Sequence, residues 1–258
     1  MDRPGAVTLV DAVAGDVRVV DDVAAAFAQE VIAAFALRPG PRFSLLVSGG
    51  PTAQLCYAAL AAQRKRIAWQ DVDVFWGDER CVPADDPASN QRLVREALLS
   101  HLPEVGSIHP MSCSDGPDAY GRLLAGQGPF DLVHLGLGPD GHTASLFPGS
   151  GALSTGTGDL VALAEDPSGR NPHRRMTVTL TAIARARRVV FTVAGAAKAD
   201  ALAAVLSGED VPASRVRAAS VLWLVDRAAR PRPAGATTTA GVTVAARAAN
   251  LDRQRTAH

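Results

Sequence analysis

The sequence predicts an α/β fold: an open, doubly wound, mostly parallel sheet with helices on both faces, Rossmann-like in type. Three observations predict it. Short β-branched runs alternate with Ala/Leu-rich helical stretches along most of the 258 residues. Several of these runs are apolar throughout, the pattern of strands buried on both faces of a parallel sheet. The first long helical stretch also carries clear boundaries, with Asp21-Asp22 before V-A-A-A-F-A-Q-E-V and Arg38-Pro39-Gly40 after it.

In chain order, strands are expected at 7–10 (V-T-L-V), 43–47 (F-S-L-L-V), 72–76 (V-D-V-F-W), 131–135 (D-L-V-H-L), 176–180 (M-T-V-T-L), 189–193 (V-V-F-T-V) and 221–225 (V-L-W-L-V). Helices are expected at 21–37, 52–62, 89–99, 117–125, 196–206 and 181–186. Together they make a single domain over residues 1–229. The tail from Arg230, R-P-R-P-A-G-A-T-T-T-A-G, has few large apolar residues and is expected to be a disordered extension over 230–258. The polar loop at 165–175 is long enough to cover a site.

Composition narrows the function classes. With 47% hydrophobic and 20% charged residues, most of the chain reads as an ordinary globular protein. A formal net charge of zero removes the electrostatic case for nucleic acid or an anionic membrane as partner. The start, M-D-R-P-G-A-V-T, lacks the apolar run of a signal peptide, and no stretch of 18 apolar residues occurs, so a cytoplasmic location is expected. The three cysteines, Cys56, Cys81 and Cys113, are odd in number and widely spaced. Neither a disulfide framework nor a zinc site is expected from them, which also suits a reducing cytosol.

Open α/β sheets bind ligands at the carboxyl ends of their strands, so the chemistry is sought there. After 43–47 comes S-G-G-P-T-A (48–53), a strand-to-helix turn whose backbone N–H groups can meet an anion, with Ser48 and Thr52 adding hydroxyls. Its plain structural reading is a tight turn capped by Thr52; no G-K-[ST] follows, so it is not a nucleotide P-loop. After 72–76 comes G-D-E-R (77–80). Its charges read either as a solvated, internally paired loop or as a site in which Arg80, beside Asp78, grips a phosphate or carboxylate with its planar fork.

After 131–135 comes G-L-G-P-D-G-H-T-A-S-L-F-P-G (136–149). Gly136, Gly138 and Gly141 satisfy G-x-G-x-x-G, but Pro148-Gly149 closes the following helix within about seven residues, too short for a dinucleotide site. The better reading is a glycine shelf presenting Asp140 and His142. After 189–193, Lys198 falls in the first turn of a helix, where a cation opposes the macrodipole. It is one of two lysines in the chain, and an anionic partner would explain its position.

Together these four segments resemble the 6-phosphogluconolactonase family, within the glucosamine-6-phosphate isomerase/deaminase superfamily. The resemblance spans roughly residues 8–228 and is most specific at G-D-E-R-C-V-P…S-N (77–90) and G-P-D-G-H-T-A-S-L-F-P-G (138–149). It implies that Gly49, Gly50, Thr52, Arg80 and Lys198 surround a phosphate, that His142 acts at a lactone carbonyl, and that Arg175 lies near the site. It implies a sugar-phosphate lactone as substrate, no metal or organic cofactor, and a monomer. In the deaminase branch a glutamate follows the histidine by five residues; here that position is Phe147, which favours the lactonase branch. An imidazole, with an ordinary pKa of roughly 6.5, suits a general base at neutral pH. Asp140 is then expected to orient His142, brace the turn or bind substrate hydroxyls, and shelf N–H groups, those of Gly138 and Gly141 included, to receive the oxyanion.

Overall fold

A computed structural model describes residues 15–154, 156 and 158–231. The expected strand at 7–10 and nearly all of the expected tail lie outside these residues. The chain runs β1 (Asp16–Val20), α1 (Val23–Ala36), β2 (Phe43–Val47), α2 (Pro51–Ala62), β3 (Val72–Trp76), β4 (Asp78–Arg80), α3 (Asn90–Ala97) and β5 (Ser107–His109). It continues through α4 (Gly116–Gly126), β6 (Leu132–Gly136), β7 (Val161–Ala164), β8 (Arg175–Val178), α5 (Leu180–Ala184), β9 (Val189–Val193), α6 (Ala199–Ser207) and β10 (Val221–Asp226).

Seven strands form one sheet in the order β1-β10-β9-β6-β2-β3-β5, and every neighbouring pair is parallel. Helices surround it, as the alternation predicts. The apolar strands sit where burial is complete: β2 and β9 are buried at every position. From β2 the chain winds outward to β3 and β5, and from β6 it winds the other way to β9 and β10. The reversal leaves a crevice at the carboxyl ends of β2 and β6, the place where an open sheet accepts a ligand.

The run M-T-V-T-L is not a strand of this sheet. It begins one residue earlier, at Arg175, and forms β8, antiparallel to both β4 and β7 in a separate three-stranded sheet. A short, wholly buried run satisfies either sheet, so periodicity could not tell which one it would join. Strands β1, β4, β5 and β7 are not among those expected, and three of them have physical reasons for silence. β1 and β5 are partly exposed edges, and β4 is the charged D-E-R itself. The remaining helices lie within a few residues of expectation. Asp22 caps α1, its Oδ1 accepting from the Ala25 N–H at 2.9 Å.

One polar group sits deep in this apolar frame. His134 of β6 is fully buried, with its Nδ1 2.9 Å from the Tyr57 hydroxyl and its Nε2 2.9 Å from Thr192 Oγ1. Tyr57 in turn accepts the Ser48 N–H at 2.7 Å. The chain of bonds ties α2, β6 and β9 to the end of β2, behind the crevice. Burial pushes the His134 imidazole down to about 3. The unfolded chain therefore takes up a proton on this histidine below roughly pH 6.5 while the native state does not, so stability falls as pH drops from there towards 3. In thermal or urea unfolding across pH 6.5 to 4, His134→Gln should remove up to about 1.4 kcal/mol per pH unit of this decline. An unaltered slope would mean that His134 does not resist protonation.

Candidate active site

A cleft of about 450 Å³ opens at the carboxyl ends of β2, β6 and β9. Its first wall is the turn after β2. Gly50, with φ at +99°, is the N-cap of α2 and makes no side-chain cap, and Pro51 occupies the first helical position, where no N–H is needed. Thr52 is therefore not the cap but a residue of the first turn, and the N–H groups of Thr52 and Ala53 belong to the open, electropositive helix end. Gly49 has no room for a side chain, since a Cβ there would run into the Asn90 amide.

Asn90 was missed as a site residue, although it ends the motif at 77–90. Its Oδ1 accepts from Arg80 Nη1, and its Nδ2 donates to Asp78 O at 2.8 Å and Oδ1 at 3.1 Å. The Arg80 guanidinium is further held by Ala88 O at 2.9 Å. Glu79 faces away from the cleft. Its buried carboxylate accepts the Arg80, Asn90 and Gln91 N–H groups, each at 2.7 Å, and so caps α3, which carries Asn90. Burial raises the Glu79 pKa against those hydrogen bonds. The charges of D-E-R are thus neither solvated nor all functional; they build the support for one arginine.

Asp78 lines the cleft, but both its oxygens are engaged: Oδ2 accepts from Ser145 Oγ at 2.6 Å and lies 3.7 Å from Arg175 Nη1, while Oδ1 meets Asn90. Arg175 is buried at the start of β8. Its Nε has no hydrogen-bond partner, and desolvation lowers its pKa while Asp78 opposes the shift. Lys198 also lines the cleft. It closes a 3-10 turn at Ala196–Lys198 and caps α6, so it precedes the first α turn expected to hold it. Burial lowers its pKa, and the field of Asp140 opposes that.

The glycine shelf is a turn rather than a helix start. No helix follows His142; Ala144, on the cleft wall, is held at φ +48°, a strained value for a residue with a side chain. His142 lines the cleft, and its Nδ1 lies 2.5 Å from Asp140 Oδ1, which also accepts the His142 N–H at 3.2 Å. Burial pushes the Asp140 carboxyl up, but the charge and hydrogen bonds of His142 outweigh it and hold the group below its ordinary value. An ionised carboxylate only accepts, so Nδ1 carries a proton, and whenever the ring is neutral the lone pair is on Nε2. Gly138 is required beneath it, because a Cβ there would collide with the imidazole.

Two expectations change here. Asp140 and Gly141 are not on the cleft wall; Gly141 instead packs on Val211. The amides of the two shelf glycines also have partners already. Gly138 N–H donates to His142 O at 2.8 Å and Gly141 N–H to Gly138 O at 3.1 Å, so they are spent on closing the turn and cannot receive an oxyanion. Ser48, Gly49, Gly50, Thr52, Asp78, Arg80, Gly138, His142, Arg175 and Lys198 do converge on the one cleft, joined by Asn90, Asn171 and Thr192.

Residues 16–223 match the family model described as glucosamine-6-phosphate isomerases/6-phosphogluconolactonase. The chain belongs to this family. It is 40% identical over 204 residues to a 6-phosphogluconolactonase of Mycobacterium tuberculosis, covering 71% of this chain and 82% of that one. A 6-phosphogluconolactonase of Synechocystis is 40% identical over 206 residues, covering 72% and 82%. The crystal structure of 6-phosphogluconolactonase from Thermotoga maritima superposes with a TM-score of 0.71 at 30% identity, covering 82% of this chain and 99% of that one.

Within this family's fold, Phe147 stands fully buried where the deaminase branch is expected to carry glutamate. Its ring centroid is 4.8 Å from that of His142, and the Arg175 guanidinium carbon lies over the ring, 5.5 Å from its centroid. It packs against the imidazole and offers no proton.

The expectation of no disulfide is overturned: Cys81 and Cys113 are bonded, leaving buried Cys56 free. Odd number and wide spacing say nothing about spatial approach, and here the fold brings the residue after Arg80 against the segment after β5. The bond closes a loop across a sequence separation of 32. Cys113→Ser should therefore lower stability by on the order of 3–4 kcal/mol under oxidising conditions. With a thiol reductant present, wild type and variant should unfold at the same denaturant concentration; a persistent gap would assign the loss to packing at Cys113.

Proposed function

We propose that this chain hydrolyses 6-phospho-D-glucono-1,5-lactone to 6-phosphogluconate, with His142 as general base. The observation that carries the reading is the Asp140–His142 pair, with the imidazole on the wall of a cleft that also holds Arg80, Arg175 and Lys198 against a single carboxylate. Three cations and an open helix end suit a phosphate dianion at one end of the substrate, and the neutral imidazole suits water delivery to the carbonyl at the other. In this scheme Nε2 takes a proton from water as its oxygen attacks the lactone carbonyl carbon. The ring C–O bond then breaks, and the imidazolium returns the proton to the departing ring oxygen. The phosphate is remote from the reacting carbon, so its binding energy serves orientation.

Asp78 is assigned to the support of Arg175 and Asn90 rather than to the substrate, because its oxygens already have partners. The working unit is one domain over residues 1–229, a cytoplasmic monomer without nucleic-acid or membrane partners. The zero net charge supports the absence of nucleic-acid and anionic-membrane partners, and no described helix is long and apolar enough to cross a membrane; the Cys81–Cys113 bond removes the cysteine argument for a reducing compartment.

The test is titration of acid release from freshly prepared lactone, corrected for spontaneous hydrolysis. His142→Ala should lower kcat by about 10²-fold or more; near-normal turnover would remove it as the base. Lys198→Ala should chiefly raise KM, and an unchanged KM would put the phosphate elsewhere.

A further inference from the structure

The loop expected to cover the site is organised around one carboxylate that neither lines the cleft nor belongs to the scheme above. Asp166 Oδ1 accepts the Ser168 N–H at 2.8 Å and its hydroxyl at 2.7 Å, while Oδ2 accepts the Asn171 N–H at 3.0 Å and its Nδ2 at 2.8 Å. These bonds, led by that of the Ser168 hydroxyl, hold the Asp166 carboxyl well below the usual range. The turn they close sends two side chains to the site. Asn171 reaches the cleft wall, its Oδ1 accepting from Arg175 Nη2 at 3.4 Å. Arg170 is braced through Nε on Ser168 Oγ at 3.0 Å, and its Nη2 lies 3.3 Å from Asp140 Oδ2.

Asp140 is therefore held at both oxygens, Oδ1 by His142 and Oδ2 by Arg170. Rotation of a carboxylate about its last bond is soft, and the two hydrogen bonds from His142 both fall on Oδ1, leaving Arg170 as the group that fixes Oδ2. Arg170 is 61% exposed, and so open an ion pair adds little to folding. Its effect is local. Asp140, by contrast, is nearly buried, and its orientation decides where Nε2 of His142 points.

We propose that Arg170 is a positioning residue: it acts through Asp140 to keep the His142 imidazole aimed into the cleft, and Asp166 builds the turn that carries it. This rests on His142 being the base. Arg170 is not on the cleft wall, so its loss should be felt in kcat rather than in KM.

The experiment measures kcat and KM for lactone hydrolysis in Arg170→Ala, Arg170→Lys, Asp166→Ala, Asp140→Asn, His142→Ala and the Arg170→Ala/Asp140→Asn double variant. Arg170→Ala should lower kcat by about 10-fold, short of the 10²-fold that a 1 Å misplacement can cost, with KM unchanged. Arg170→Lys should recover most of that loss, Asp166→Ala should reproduce it, and Arg170→Ala should cost nothing further once Asp140 is Asn. A raised KM at constant kcat would overturn the proposal in favour of a substrate ligand. So would wild-type kinetics, or an undiminished loss in the Asp140→Asn background. Wild-type turnover by His142→Ala would overturn the base reading itself; an inactive His142→Ala beside a fully active Arg170→Ala would overturn only the role of Arg170.

Discussion

The site depends on one constraint, the reversal of winding between β2 and β6 in a wholly parallel sheet. Parallel strands all end on the same side, so each strand-to-helix turn there presents its residues together. At the reversal the helices on either hand move apart and leave the turns uncovered. The turn after β2 contributes an open helix N-terminus, that after β6 a histidine, and that after β9 a lysine. None of these is near another in sequence.

Behind the cleft, charge is buried in order to hold charge still. Glu79 caps α3, α3 carries Asn90, and Asn90 grips Arg80; Asp78 meets Asn90, Ser145 and Arg175. Isolated ions at such burial would be costly, but each is paired or hydrogen-bonded, so their positions are set together. The small antiparallel sheet exists in this arrangement to pair β4 with β8, setting Arg80 opposite Arg175. With Lys198 on the same wall and Asp78 the one carboxylate lining it among the described residues, the cleft carries an excess of positive charge.

His142 is placed differently, by steric fit and a short local bond. Gly138 leaves room for the imidazole, Phe147 packs against it, and Asp140 sets its tautomer. The turn uses its own amides to hold this shape.

By itself the sequence determined the α/β class, the positions of the central strands β2, β3, β6, β9 and β10, and the turns that carry much of the cleft. Short, wholly apolar runs favour strands buried on both faces, and glycines after them favour turns, both of which are local properties. Tertiary structure alone decided the rest. β4 could not be read from D-E-R, because its burial is made favourable by partners far along the chain in β8 and α3. Asn90 looked like one more polar residue until Arg80 and Gly49 closed on it. Cys81 and Cys113 gave no spacing signal, since their approach follows from the path of the chain between β4 and β5. Asp140 was open among three roles because residues two apart meet or miss according to the turn, and only the backbone between Gly138 and His142 settled its oxygen against Nδ1.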